Sequence, residues 1–325
     1  MGVTMLKIGR TFPRMASLLV SLLVVNLLVT AQPALALEEA LISYAGPSIT
    51  FLPAEVARQR GFFREQNLDV KLLLTRTEVD RAALASGNID YTLRAGSTFV
   101  SAARGLPVRI VFLGTTKPFW GLVVRQEIKS VSELKGKSMG VPGLLGSQQI
   151  SAKFILKQNG LDPDRDIIYR IVDTGTRIGA MLSGSIDCSM MDYGEAYRAK
   201  KMGLKLLINA AEYHGLLAGG LGVNNAKLRD HPDQVRRVIK ALLQSLRFMR
   251  ENPEGTQQVM MSWLKLDREM ASEIYQMAIN NYTRNGMVEE SMLNSLVTTM
   301  LAEAGIKGVA PSQLTDFTLL QQALK

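Results

Sequence analysis

Residues 83–90 read Ala-Leu-Ala-Ser-Gly-Asn-Ile-Asp, and residues 180–187 read Ala-Met-Leu-Ser-Gly-Ser-Ile-Asp. The two octets share one grammar. Small and aliphatic residues run up to a glycine, and an Ile-Asp pair then opens an extended apolar run. Glycine ends helices well because it takes the left-handed conformation with no Cβ penalty. The same helix–glycine–strand unit thus occurs twice in one chain. No long linker lies between the copies, so the sequence predicts two lobes built on one plan.

The pattern around the octets alternates. Strands are expected at 40–44, 70–74, 89–93, 108–113, 122–124, 138–141, 167–172, 186–191 and 205–208. Helices are expected between them at 53–59, 80–86, 97–104, 147–159, 177–183 and 193–202. Strands alternating with helices of this length predict an α/β fold with parallel sheets and helices on their faces. After Val223 the chain turns helical. Residues 231–251 keep Val235, Val238, Ile239, Leu242, Leu246 and Met249 at a 3–4 spacing, and Asp230 stands where it can cap that helix ahead of Pro232. Further helices are expected at 255–264, 268–280, 289–304 and 314–323. Crossings between the lobes are placed near 119–124 and near 212–220, the second rich in glycine.

The first 36 residues read differently. Lys7, Arg10 and Arg14 precede an apolar run over 15–28, and Ala34-Leu35-Ala36 follows as a small-x-small pattern. That order predicts a secretory signal peptide cut after about Ala36, since a spanning helix needs roughly 20 apolar residues. No cysteine follows the run, so a lipid anchor is not expected and the mature form is read as periplasmic. Of the 325 residues 47% are hydrophobic, enough for a sizeable core. The net charge of +9 falls to +6 without the leader, which carries three basic side chains and no acid. The remaining Lys and Arg are scattered, so a nucleic-acid partner is not expected. The single cysteine, Cys188, sits in an apolar run and reads as buried filler.

Several stretches together carry a family resemblance: Ala-Arg-Gln-Arg-Gly-Phe-Phe at 57–63 with Leu-Asp-Val at 68–70, the octet at 83–90, Ser-Glu-Leu-Lys-Gly-Lys-Ser-Met-Gly-Val at 132–141, Gly-Ser-Ile-Asp at 184–187 and Leu-Gly-Val-Asn at 221–224. In this order the chain resembles the periplasmic substrate-binding proteins of ABC importers, in the branch that includes nitrate, sulfonate, taurine and thiamine-precursor binders. The resemblance implies a two-lobed type II periplasmic binding protein fold with hinge crossovers and C-terminal helices. Lobe 1 would be 37–121 with 218–325, and lobe 2 would be 122–217. It also implies a monomer that traps a small organic anion or zwitterion in the cleft and delivers it to ABC permease subunits. The rival readings are an enzyme on the same fold, such as a menaquinone-pathway dehydratase or a pyrimidine synthase, and an exported sensor.

In open α/β sheets ligands sit beyond the carboxyl ends of the strands, where helix N-termini converge. Three loops fit: one with Ser48 and Thr50, one with Gly96, Ser97 and Thr98, and one with Gly146, Ser147 and Gln148. Each brings a glycine or hydroxyl to a helix start, where free N–H groups and the helix dipole favour an anion. Thr176 and Tyr193 are candidates from the second lobe. Trp120 is expected at the hinge, and Tyr44 follows the first strand. Arg177 reads as a ligand partner or a solvated helix-start residue, and Asp192 and Glu195 as partners of a ligand amine or as helix-start acids. No catalytic residue, metal site or cofactor is implied, because no metal-spaced cluster, Gly-x-Ser-x-Gly elbow or phosphate loop occurs.

Overall fold

Two sheets are needed to use all the strands. The computed structural model describes residues 1–4, 36–213 and 219–325. Most of the leader-like segment, and residues 214–218 of the second expected crossing, lie outside the described residues. The chain first forms β1 (Glu38–Tyr44), α1 (Leu52–Gln59), α2 (Phe62–Glu65), β2 (Leu68–Leu74), α3 (Thr77–Ser86), β3 (Tyr91–Thr92), α4 (Ala95–Ala103) and β4 (Val108–Leu113). It continues with β5 (Trp120–Val124), β6 (Lys137–Val141), α5 (Ser147–Gln158), β7 (Ile167–Ile171), α6 (Arg177–Leu182), β8 (Cys188–Asp192), α7 (Tyr193–Lys201) and β9 (Lys205–Asn209). The last part is β10 (Gly220–Asn224) followed by α8 (Asn225–Asp230), α9 (Pro232–Glu251), α10 (Pro253–Leu264), α11 (Arg268–Ala278), α12 (Glu290–Glu303) and α13 (Thr318–Ala323).

The sheet orders are β2-β1-β3-β10-β4 and β7-β6-β8-β5-β9. In each, three strands run parallel and the fourth position is antiparallel to both neighbours. The antiparallel member, β10 or β5, is the strand that has just crossed from the other sheet. The plan is one plan used twice, and the octets show it at atomic detail. Gly87 and Gly184 both take positive φ, +79° and +77°. The amides of Asn88 and Ile89 donate to the carbonyl of Ala83 at 2.9 and 3.3 Å, and those of Ser185 and Ile186 donate to Ala180 at 2.8 and 3.2 Å. Asp90 accepts from the Leu41 amide at 2.8 Å, and Asp187 accepts from the Ser138 amide at 2.8 Å. Each aspartate thus ties the entry of its own strand to the central parallel strand, at Leu41 in the middle of β1 and at Ser138 near the start of β6.

The predicted apolar row of α9 is buried, and it joins Ile42, Tyr91 and Val223 of the first sheet with Leu52 and Val56 of α1 in one core. The second sheet has a separate core built on Leu122, Met139, Ile155 and Met190. A third cluster joins Phe99 of α4 to Leu296, Val297 and Met300 of α12 and takes in Ile150 of α5. Cys188 is buried in the second core, as its apolar run implied, and burial pushes its thiol pKa up.

Two helix boundaries differ from expectation. Asp230 does not cap α9: it ends a separate short helix, α8, which Asn224 caps by accepting from the Ala226 amide at 2.7 Å. Its carboxylate is engaged by Arg229 instead, and α9 starts at Pro232, whose missing N–H suits a first turn. The expected helix at 314–323 starts only at Thr318. Residues 314–316 lie along β4, with Ile110 donating to the Leu314 carbonyl at 3.0 Å and Asp316 donating to the Ile110 carbonyl at 2.9 Å. The open edge of β4 captures this segment.

Asp187→Ala removes the acceptor of both the Ser138 amide and the Ser138 hydroxyl, each at 2.8 Å. The expected loss is about 1–3 kcal/mol in urea unfolding. Burial opposes ionisation of Asp187, but the Ser138 hydrogen bonds, with Lys137 and Arg125 nearby, hold its pKa below the usual aspartate value. Its contribution is therefore present above about pH 4 and fades as pH falls through the lowered value. Unfolding measured from pH 7 down to pH 3 should show a shallower acid limb in the variant than in the parent.

Candidate functional site

The loops leaving β1, β3, β6 and β8 meet between the sheets and enclose a cavity of about 60 Å³. The first sheet supplies Gly46, Ser48, Thr50 and Phe51 after β1, Thr77 at the start of α3, and Arg94 and Ser97 around the start of α4. The second supplies Pro142, Gly146, Ser147 and Gln148 around the start of α5, Thr174, and Asp192 at the end of β8. Trp120, the first residue of β5, completes the wall.

The halves touch around this space. A Cβ on Gly96 would lie 2.1 Å from the Ser147 hydroxyl oxygen, and one on Gly143 would lie 2.5 Å from that of Thr77. Glycine is needed at both positions because the opposing loop leaves no room for a side chain. Arg81 donates to the Leu144 carbonyl at 2.7 Å, and Arg76 pairs with Asp173 at 2.8 Å across the same boundary.

Two residues of the cavity wall carry polar atoms without protein partners. The Trp120 indole nitrogen and the Thr50 hydroxyl are buried and have no hydrogen-bond partner among the described residues. Such groups are costly unless something pairs with them. Gly146 is the N-cap of α5 and makes no side-chain cap bond, so the first amides of a twelve-residue helix remain free of an intrahelical acceptor. Ser48 is partly spent, since its hydroxyl accepts from the Thr50 amide at 3.2 Å.

Arg94 is the cation of the site. Its guanidinium is held by the Thr77 hydroxyl at 3.1 Å and by the carbonyl of Thr75, with Asp80 3.8 Å from its Nε. Burial lowers its pKa and Asp80 opposes that change, but an arginine stays protonated in a protein. Asp80 in turn accepts from Ser43 and, at 2.9 Å, from Thr92.

Asp192 faces the cavity from the other side. It also caps α7, accepting from the Glu195 amide at 2.9 Å, so the helix-start reading of this residue holds. Burial, then the Glu195 charge, push its pKa up to about 7. Arg177 is neither solvated nor at the cavity. It is fully buried, donating to Glu195 at 2.5 Å, the Met190 carbonyl at 2.6 Å and the Gln148 side chain at 2.7 Å. It therefore holds Gln148 in the cavity wall.

Of the residues picked from sequence, Ser48, Thr50, Ser97, Trp120, Gly146, Ser147 and Gln148 line this space, and Tyr44, Gly96, Thr98, Thr176 and Tyr193 do not. Each exception has a physical reason. Tyr44 packs edge-on against Phe51 and tilted against Trp263, at 6.0 and 6.2 Å between ring centroids. Gly96 is pressed against Ser147. The Thr98 hydroxyl donates back to the Arg94 carbonyl at 2.9 Å. Thr176 is exposed and donates to the Asp173 carbonyl at 2.9 Å. Tyr193 donates to the Asn209 side chain at 2.6 Å and packs on Phe119. Phe119 itself is core, against Tyr282. Arg94 and Thr174 sit in loops that the sequence singles out, at 94–98 and 174–177, while Thr77 lies outside them. The signal for Arg94 was a charged residue directly after the buried run Tyr91-Thr92-Leu93.

Among the described residues, no group of three or more His, Cys, Asp or Glu is arranged to hold a metal ion, and no helix is long and apolar enough to cross a membrane.

Two α/β lobes of matching topology, joined by two crossings with a cavity between them, define the periplasmic binding protein fold. A family profile described as "NMT1/THI5 like" matches residues 48–256, and the chain belongs to that family. The solved structure of the alkanesulfonate-binding protein SsuA from Xanthomonas axonopodis pv. citri, bound to MOPS, is similar over 88% of this chain and 97% of its own, with a TM-score of 0.69 and 15% identity. Riboflavin-binding protein RibY of Chloroflexus aurantiacus is 24% identical over 232 residues, 69% of this chain and 65% of its own length. The 4-amino-5-hydroxymethyl-2-methylpyrimidine phosphate synthase of Candida albicans is 31% identical over 145 residues, 43% of this chain and 41% of its own. The chain thus spans about two thirds or less of these curated relatives.

Arg177→Met leaves the Glu195 carboxylate buried with its guanidinium partner gone. Breaking such a pair from one side costs about 3–5 kcal/mol. Chemical denaturation of the variant should show that loss, and Arg177→Lys should recover part of it.

Proposed function

We propose that this chain is an exported solute-binding receptor of an ABC importer, closing two lobes on a small organic anion or zwitterion. The observation that carries the reading is one cavity between the lobes whose wall combines a buried guanidinium, an uncapped helix start and residues with unpaired polar atoms. The Trp120 indole, the Thr50 hydroxyl and the free amides of α5 all await an acceptor, and Arg94 adds a full positive charge. An oxyanion headgroup satisfies them together, with the α5 dipole contributing about 0.3–1 kcal/mol more. The cavity volume of about 60 Å³ suits a compact group of that kind.

In this reading lobe 1 is 37–121 with 218–325 and lobe 2 is 122–217. The ligand binds the loops of one lobe first, and closure brings the other set onto it. The Gly96–Ser147 and Gly143–Thr77 approaches mark how close the lobes come. The leader-like first 36 residues support export to the periplasm, and the receptor would then act as a monomer on ABC permease subunits. Likeness in fold to an alkanesulfonate-binding protein supports the binding role.

A second reading, an enzyme acting on a pyrimidine, draws support from the Candida synthase. The described lining favours holding over turnover. It offers hydroxyls, an indole, an amide, a guanidinium and one carboxyl group, and that carboxyl already caps α7. Isothermal titration with sulfonates, carboxylates, nitrate, riboflavin and pyrimidines separates the readings. One tight ligand recovered unchanged supports the receptor. Chemical conversion of a pyrimidine seen by mass spectrometry, or silence across the panel, overturns it.

Ser147→Asp sets a carboxylate at the α5 start and should weaken anion binding tenfold or more, while an unchanged affinity removes that loop from the site. Asp192 adds a pH signature. With its pKa near 7, it is largely protonated at pH 6 and ionised at pH 8. An anionic ligand should bind more tightly at pH 6, with proton uptake visible as a buffer-dependent enthalpy. A zwitterion whose ammonium faces Asp192 should show the opposite trend. Asp192→Asn should flatten either profile.

A further inference from the structure

A second cavity lies away from the cleft, on the solvent side of α9. Lys240, Arg247 and Arg250 of that helix, with Arg284 from the segment ahead of α12, border a groove of about 490 Å³. It shares no lining residue with the cleft cavity. The only acid among its described lining residues is Glu251. Residues 240, 244, 247 and 251 fall on one helical face, opposite the buried row that includes Leu242 and Leu246. The core therefore orients α9 so that its cations point outward into the groove.

These cations are not neutralised by neighbours. Among the described residues, Lys240, Arg247, Arg250 and Arg284 form no ion pair within 4.0 Å; the nearby Glu65 carboxylate accepts from the Gln244 amide at 2.6 Å and keeps its charge, so four cations stand against the two acids Glu65 and Glu251. Arg250 is pinned by neutral acceptors, donating to the carbonyls of Leu246, Tyr282 and Thr283 at 2.9, 2.8 and 2.9 Å. Carbonyls fix a guanidinium in place and leave its charge intact. Burial lowers the Arg250 pKa, and the positive charge of Arg284 lowers it further, so the two guanidiniums sit in each other's field. An anion shared between them relieves that repulsion.

We propose that this groove is a second ligand site, taking a soluble, multiply charged, phosphate-bearing anion independently of the cleft. Guanidinium forks match phosphate oxygens in bidentate geometry, and several unpaired cations around one concavity favour a ligand of two or more negative charges. The walls come from α9, the end of α13 and the Arg284 segment, so the site is a recess that a soluble headgroup enters. The proposal stands on residues outside the cleft and does not depend on the receptor reading.

The test is titration of the chain with pyrophosphate by calorimetry at low salt, using Arg247→Gln, Arg284→Gln and the cleft variant Ser147→Asp. Lys240, Arg247 and Arg284 are exposed, so these variants keep the fold, which thermal melts will check. The expected result is saturable binding that each groove variant weakens about tenfold and that Ser147→Asp leaves unchanged. Added salt should weaken it further. Binding lost in Ser147→Asp but kept in the groove variants would assign pyrophosphate to the cleft and overturn the proposal. Absence of binding, or capture only by anionic phospholipid vesicles and not by pyrophosphate, would overturn it as well.

Discussion

Each sheet of this protein is completed by a strand that arrives from the other half. β5 enters the second sheet between β8 and β9, and β10 enters the first between β3 and β4, each antiparallel to its neighbours. Neither half can finish its sheet without the crossing, so the crossings are anchored at both ends. They are also tied to each other. The Gly114 amide donates to the Gly219 carbonyl at 3.0 Å, and the Gly219 amide donates to the Thr115 hydroxyl at 3.0 Å. A Cβ on Gly219 would lie 2.7 Å from the Thr50 carbonyl, so one crossing runs directly against the loop that brings Thr50 to the cavity. Hinge and candidate site are physically contiguous.

That arrangement turns the carboxyl ends of both parallel sets toward one gap, where loops and helix starts supply the chemistry. The charged groups in the gap are set from behind. Arg94 is backed by Asp80, Asp192 is fixed by the Glu195 backbone amide, and the neutral Gln148 is held by Arg177 of the buried Arg177–Glu195 pair. Buried pairs of this kind add little net stability but are expensive to break from one side, so they hold functional side chains in one geometry. The exposed Arg76–Asp173 pair across the boundary is of a different order, about 0–1 kcal/mol. Contact between the lobes rests more on the close glycine approaches and on Ile150 of α5, which is buried among α4 and α12.

The fold does not decide what happens in the gap. Relatives on the same plan carry names of binding proteins and of a synthase. Function is a property of the site grafted on the fold, and here the site is distinguished by donors lacking protein partners. The basic groove on α9 is built on a different logic, with cations gathered on the face that the core leaves in water.

Local sequence determined the repeated unit, the alternation of strands and helices, the apolar row of α9 and the loops that would face a cleft. These follow from backbone chemistry and periodicity, which act over a few residues: a glycine at a helix end, an Ile-Asp pair opening a strand, apolar residues every three or four positions. Only the tertiary structure decided which side chains in those loops reach the gap. Ser97 lines the cavity while its neighbour Thr98 bonds back to Arg94. Tyr193 turns to Asn209, and Arg177 is drawn inward by Glu195. In each case the direction is set by a partner far away in the chain or by the packing of the opposite lobe, and such partners leave no trace in local spacing.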